Sequence, residues 1–173
     1  MKKVKMIWLP LLMMAIATFQ SAAAIPTCEG DEARAVLEAN RQFFKALNAI
    51  FAGELAPMKS VWAHTDDVIY MGPGGGTQVG WEQVLANWEY QASLNLGGEV
   101  NPENIHITMG TDIAIVQNRI KGQNIVNGEP QEISIRATQV FRKKKDGWKV
   151  VSVHTDTLSF TGEGDNPIFI FKN

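Results

Sequence analysis

The stretch RATQVFRKKKDGWKVVSVHTD, Arg136 to Asp156, holds two apolar runs on either side of a charged turn. Apolar and β-branched residues recur at every second place, the pattern of a hairpin whose strands each bury one face. The basic run from Arg142 to Lys145 lies beside Asp146-Gly147 and reads as a solvated hairpin tip, not a docking patch. Working back, "NIHITMG" and "DIAIVQNRIKGQNIV" continue the same period, divided by "GTD" and "VNGEP". Four strands are therefore expected, the last three forming a meander of long antiparallel strands. "NLGGEVNPEN" ahead of them reads as a loop from its glycine, asparagine and proline content.

Further upstream the period changes to 3.6. Val36, Ala39, Phe43, Leu47, Ile50 and Phe51 recur at three- and four-residue steps between Asp31 and Ala52, and Gly53 closes an amphipathic helix. "ELAPMKSVW" follows as a shorter helix, with Pro57 tolerable in its first turn. Then comes "YMGPGGGTQVGW", Tyr70 to Trp81, with five glycines and a proline. A phosphate-cradling loop needs a lysine after its last glycine, and none occurs between Lys59 and Lys121. The dinucleotide fingerprint fails as well, because Thr77 or Val79 stands where its third glycine belongs. What remains is a reversal between two short strands, "DVIYMG" and "TQVG", feeding a helix from Trp81 to about Leu94 with Gly80 as its N-cap. Helices gathered ahead of a meander imply an α+β fold, with the helices covering one face of a curved antiparallel sheet.

The 173 residues, 45% hydrophobic and 20% charged, suit one globular domain. Residues 1–24 read differently. Lys2, Lys3 and Lys5 precede an apolar run from Met6 to Phe19, and Ser21-Ala22-Ala23-Ala24 offers a cleavage pattern. The run is too short for the ~20 residues that span a bilayer, so a signal peptide is expected, with a periplasmic or secreted domain from residue 25 to 173 and no membrane span after cleavage. Losing three lysines and no acid moves the formal charge from −2 to −5, a balance that argues against nucleic-acid binding. Cys28 is the sole cysteine, which rules out an intramolecular disulfide. The tail "TGEGDNPIFIFKN" reads as a loop with a short apolar end that packs on a neighbour.

Three phrases, "FFKALNAIFAGELAPMKSVW", "DDVIYMGPGGGTQVGW" and "RATQVFRKKKDGWKVVSVHTD", together resemble the NTF2-like superfamily and, within it, the SnoaL-like or DUF4440-type domains, over roughly residues 31 to 158. The resemblance implies a cone: a bent sheet wrapped around the helices, with an internal pocket at the open end. It also implies pairing of two copies through their sheets. Some members are isomerases, cyclases or dehydratases, whereas others bind ligands or assemble subunits, and fold alone does not choose among these.

Chemistry in such a pocket needs polar groups among apolar walls. Arg136, mid-strand, would meet a carboxylate if it points inward. His154 and Asp156 share a strand face, so His154 is a candidate general base, with Asp66 as a candidate carboxylate at the mouth. Trp62, Tyr70 and Trp88 suit either the core or a ligand wall, and Asn118 could add a neutral contact. "HTD" occurs at both 64–66 and 154–156, the elements of a facial iron triad, yet so short a triplet arises readily by chance, and no metal or other cofactor is expected. The expectation is an exported domain, homodimeric, that binds a small, mostly apolar molecule in its cone. Acid-base isomerisation, cyclisation or dehydration in that pocket, and a non-catalytic assembly role, are the alternatives.

Overall fold

A computed structural model describes residues 30–157. The signal-peptide reading, Cys28 and the tail beyond Thr157 lie outside the described residues. Helix α1 spans Asp31–Phe51 and α2 spans Ala56–Val61, then strands β1 (Ile69–Met71) and β2 (Gln78–Val79) frame the glycine loop. Helix α3 (Trp81–Ser93) leads into β3 (Gly98–Met109), β4 (Ile113–Val126), β5 (Glu129–Lys144) and β6 (Gly147–Thr157). Among the described residues no helix is long and apolar enough to cross a membrane.

The apolar stripe of α1 is buried as its spacing demands, with Val36, Phe43 and Ile50 almost wholly shielded. Acidic residues in its first turn favour the helix dipole. One of them, Glu32, also accepts hydrogen bonds from Lys143 at 2.7 Å and from the Trp148 indole at 3.1 Å, and the Lys143 bond chiefly holds its carboxyl below the usual range. The start of α1 is thus tied to the β5–β6 hairpin. Pro57 sits in the first turn of α2, where its missing N–H has no partner to lose.

Among the described residues the strands form one sheet in the order β2-β1-β6-β5-β4-β3. The meander β3 to β6 is antiparallel throughout, whereas β1 joins β6 in parallel, so the expected antiparallel sheet gains one parallel pair at the glycine-loop end. The β4–β5 turn places Asn127 and Gly128 both at positive φ, the backbone of a two-residue hairpin whose twist matches its strands.

"GGEVNPEN", expected as a loop, is largely strand. Its edge is held by α1, where the Asn48 side-chain amide accepts from Val100 N–H at 2.9 Å and donates to Val100 C=O at 3.0 Å. Pro102 is tolerated because β3 is an edge strand, and Asn104, at φ 52°, absorbs a bulge between Glu103 and His106. The sheet is pinched here. A Cβ on Gly122 would stand 2.0 Å from the Glu99 carbonyl oxygen, and one on Gly98 would stand 2.1 Å from that of Gln123. Only glycines let the two backbones approach so closely.

Arg142 on β5 pairs with Asp67 at 2.8 Å. That bond, aided by the Thr65 hydroxyl, lowers the Asp67 pKa to about 2. A depressed folded pKa adds stability that is complete above the unfolded value near 3.8 and is lost as pH falls through about 2. Because Asp67 is more than half exposed, screening keeps the contribution below about 1 kcal/mol. Asp67→Asn should therefore flatten the stability profile between roughly pH 4 and 2 in acid titrations followed by circular dichroism; an unchanged slope would show that the pair contributes nothing.

Candidate functional site

Strand alternation sends one set of side chains toward the helices and the other outward. On β5 the inward set continues from Ile133 and Ile135 through Ala137 and Gln139 to Phe141; on β4 it includes Val116, Asn118 and Ile120. On β6 it is Val150, Val153 and Thr155, because the bulge opposite Val140 and Phe141 buries Val151 beside Val150 and shifts the parity. Helices α1 and α3 cover the deep part of this face and leave a cavity of about 780 Å³ toward its open end.

The cavity walls come from Phe43, Leu47 and Phe51 of α1, one helical face at four-residue steps, and from Ile120, Ile133, Ile135 and Val153 of the sheet. Trp88 and Gln91 of α3 close a third side, and Pro73-Gly74 of the glycine loop edges the opening. The glycine-rich stretch is thus rim, and its Gly75 and Gly76 supply the positive φ its turn requires.

Tyr70 is the polar centre of the wall. Its ring packs on Trp88 at 4.7 Å between centroids, and Trp62 stands behind both at 6.4–6.5 Å. Burial pushes the phenol pKa up, against a smaller opposing effect of the hydrogen bond from Gln91. The hydroxyl therefore stays protonated at neutral pH. Its oxygen accepts from Gln91 Nε2 at 3.4 Å, which leaves its own O–H to donate. Gly72 makes this placement possible, since a Cβ there would stand 2.7 Å from the Tyr70 oxygen.

Of the residues expected at the site, Tyr70 and Trp88 line the cavity. Trp62 is core packing behind them. Asn118 is buried but donates to Gln139 Oε1 at 2.8 Å, one row deeper than the lining, and among the described residues Asn118 Oδ1 and Gln139 Nε2 make no hydrogen bond. Arg136 and His154 are not in the cone. Both project from the outer sheet face, because their neighbours Ala137, Val153 and Thr155 take the inward positions. The carboxylate that Arg136 meets is Asp156 across the strand, through two bonds of 3.1 and 2.6 Å. His154 borders a shallow outer depression of about 470 Å³ with His106 and Arg119. Asp66 lies exposed in the turn before β1 and outside the cavity lining, since Val68 and Tyr70 are the residues of that segment drawn inward. His64 stacks on Trp81 at 4.1 Å and bonds the Lys59 carbonyl at 2.8 Å. Among the described residues no three His, Cys, Asp or Glu side chains gather as metal ligands.

Few charges therefore line the cavity: among the described residues, Tyr70 and Glu132 are the ionisable side chains in its lining, and Glu132 is exposed. Gln91, Thr155 and the isoleucines of β4 and β5 were not singled out from sequence. The alternation of Ile133 and Ile135 was their available signal, but it does not say which side the helices occupy.

The architecture recurs in solved structures. A candidate dehydratase from the NTF2-like family of Streptomyces avermitilis matches at a TM-score of 0.66 and 22% identity, covering 75% of this chain and 97% of that one. A candidate ketosteroid isomerase from Shewanella frigidimarina matches at 0.58 and 24% identity, over 70% and 94% of the two chains. A candidate calcium/calmodulin-dependent protein kinase type II association domain from Thiobacillus denitrificans matches at 0.59 and 26% identity, over 70% and 93%. No curated protein matches this chain. The sequence model of the SnoaL-like domain matches residues 36–159, from the buried stripe of α1 to just past β6. With that match spanning most of the chain and the cone built as described, the protein belongs to the SnoaL-like domain family of the NTF2-like fold.

Proposed function

We propose that this domain acts after export, in the periplasm or outside the cell, by binding a small, mostly apolar and uncharged molecule in its cone. The observation that carries the reading is the cavity of about 780 Å³, mostly apolar and with the exposed Glu132 as its one acidic lining residue among those described, with a protonated Tyr70 in its wall. Its volume falls in the usual range of small-molecule sites, and the buried Tyr70 donor beside aliphatic and aromatic walls, with Asn124, Gln131 and Ser134 also in the lining, suits a ligand bearing a carbonyl or similar acceptor. Acid-base catalysis is supported less well, because His154 and Asp66 lie outside the cone and a neutral phenol donates far more readily than it abstracts a proton. Two copies pair through the outer sheet face, where Ile115 stands exposed beside its cross-strand partner Val140.

Native mass spectrometry of the purified chain tests both parts, expecting a dimer mass and a releasable small molecule. Nile red, apolar and carbonyl-bearing, should bind saturably, and Tyr70→Phe should weaken it about three- to tenfold, the value of one hydrogen bond, with little change in the unfolding midpoint. Equal affinities would remove Tyr70 from the site. A ligand-free spectrum together with no saturable uptake of Nile red would overturn the small-molecule reading.

A further inference from the structure

On the outer face of the sheet the register sets polar side chains in two cross-strand rows. His106, Gln117, Thr138 and His154 lie side by side on β3, β4, β5 and β6, and Arg119, Arg136 and Asp156 form the next row on β4, β5 and β6. These seven residues and Asn104 line the outer depression of about 470 Å³. Arg119 and Arg136 are direct cross-strand neighbours, and like charges so placed repel unless an anion stands beside them. Asp156 answers one of the two: its oxygens accept from Arg136 at 3.1 and 2.6 Å. Arg119 has no such partner. Its neighbour on β3, Glu103, bonds Lys121 at 3.3 Å instead, and among the described residues the Arg119 guanidinium makes no hydrogen bond or ion pair.

We infer that this depression is a second binding site, for a small oxyanion whose carboxylate or phosphate group sits against Arg119. Arg119 is half-buried, so its charge is screened less than that of a fully solvated lysine. Its planar fork matches two oxygens of a carboxylate or phosphate. Around it stand groups that donate without adding charge: the Asn104 and Gln117 amides, the Thr138 hydroxyl, and the imidazoles of His106 and His154, each of which keeps one ring N–H when neutral. None of these five side chains has a hydrogen-bond partner among the described residues. The carboxylate of the lining, Asp156, is already held by Arg136. The depression therefore offers one uncompensated cation and several free donors, on a chain whose formal net charge is −2. A single positive centre is too little for a nucleic-acid backbone and suits one anionic group. Arg119 lies four residues along β4 from Ile115, about 14 Å, which puts the site at the edge of the apolar patch offered for pairing of two copies.

The site lies across the sheet from the cone, so it stands or falls apart from the small-molecule reading. Inorganic phosphate and acetate, titrated into the full chain at low salt and followed by amide chemical shifts, should move the resonances of Gln117, Arg119 and Thr138 saturably. Arg119→Gln should weaken phosphate binding at least about tenfold, the loss of a charge-assisted bond, and leave Nile red affinity as it was. Arg41→Gln removes the same charge from the exposed side of α1 and should change phosphate affinity less than about twofold. Shifts that fail to saturate with either probe would overturn the site. An equal loss in Arg41→Gln would do the same, because it would reduce the effect to diffuse attraction. If Arg119→Gln or added phosphate abolishes a dimer seen for the unaltered chain in native mass spectra, the carboxylate belongs to a second copy and the free-anion site is overturned. None of these outcomes touches Nile red binding in the cone.

Discussion

Replacing Gly122 by alanine is expected to destabilise the domain by at least about 3 kcal/mol, among the largest effects of any single methyl addition in this chain. Gly122 lies at φ 151°, and its added Cβ would meet the backbone of Glu99 and Val100, which cannot swing aside as a flexible side chain would. Gly98→Ala should behave alike, with Cβ contacts of 2.1 and 2.7 Å to the backbone of Gln123 and Asn124. Gly128→Ala supplies the control. It also carries a positive φ, 83°, but has nothing within 4 Å, so it pays backbone strain alone. In thermal unfolding, Gly122→Ala should lower the midpoint by roughly 10 °C, well beyond the control. Equal shifts for Gly122 and Gly128 would mean that the β3–β4 pinch contributes no more than its backbone angles. The pinch matters for function because it presses β3 and β4 together where Val100 and Ile120 enter the cavity wall.

Trp88→Ala should cost about 3–5 kcal/mol and also weaken Nile red binding, because this side chain serves two purposes. It is 1% exposed and touches both Trp62 and Tyr70 in the core, yet one face of it borders the cavity. Its removal would leave a void continuous with the cone and take away the surface that holds the Tyr70 ring. Trp88→Phe keeps most of the apolar contact and, since the Trp88 indole N–H has no partner among the described residues, strands no acceptor there. It should lose less than half as much stability. Urea unfolding with parallel Nile red titration reads both effects. A loss under about 1 kcal/mol for Trp88→Ala would make the residue wall only, whereas a full stability loss with unchanged probe affinity would make it core only.

Much of the fold was legible because hydrophobic period is a local property. The stripe from Val36 to Ile50 marked α1 before any partner was known, and the alternation in 113–126 and 129–144 marked the long strands. The miss at "GGEVNPEN" has a tertiary cause. Local preference there is for a turn, and the Asn48 amide together with β4 overrides it by supplying backbone partners from 52 residues and a strand away.

The site was less legible, and for one main reason. A strand sequence states which residues share a face but not which face meets the helices, and a single bulge reverses the answer. On β6, counting by twos from the buried Trp148 and Val150 would send Ser152 and His154 inward. The extra residue at Val151 shifts the parity, so Val153 and Thr155 enter the cone while His154 and Asp156 face outward. Thus the order of helices and strands, the absence of nucleotide fingerprints and the aromatic character around Tyr70 and Trp88 were properties of the sequence by itself. That Tyr70 is a neutral donor in an apolar cone, and that Arg136 spends its charge on Asp156 outside it, was decided only by tertiary structure, because burial and strand parity are set by contacts between segments far apart in the chain.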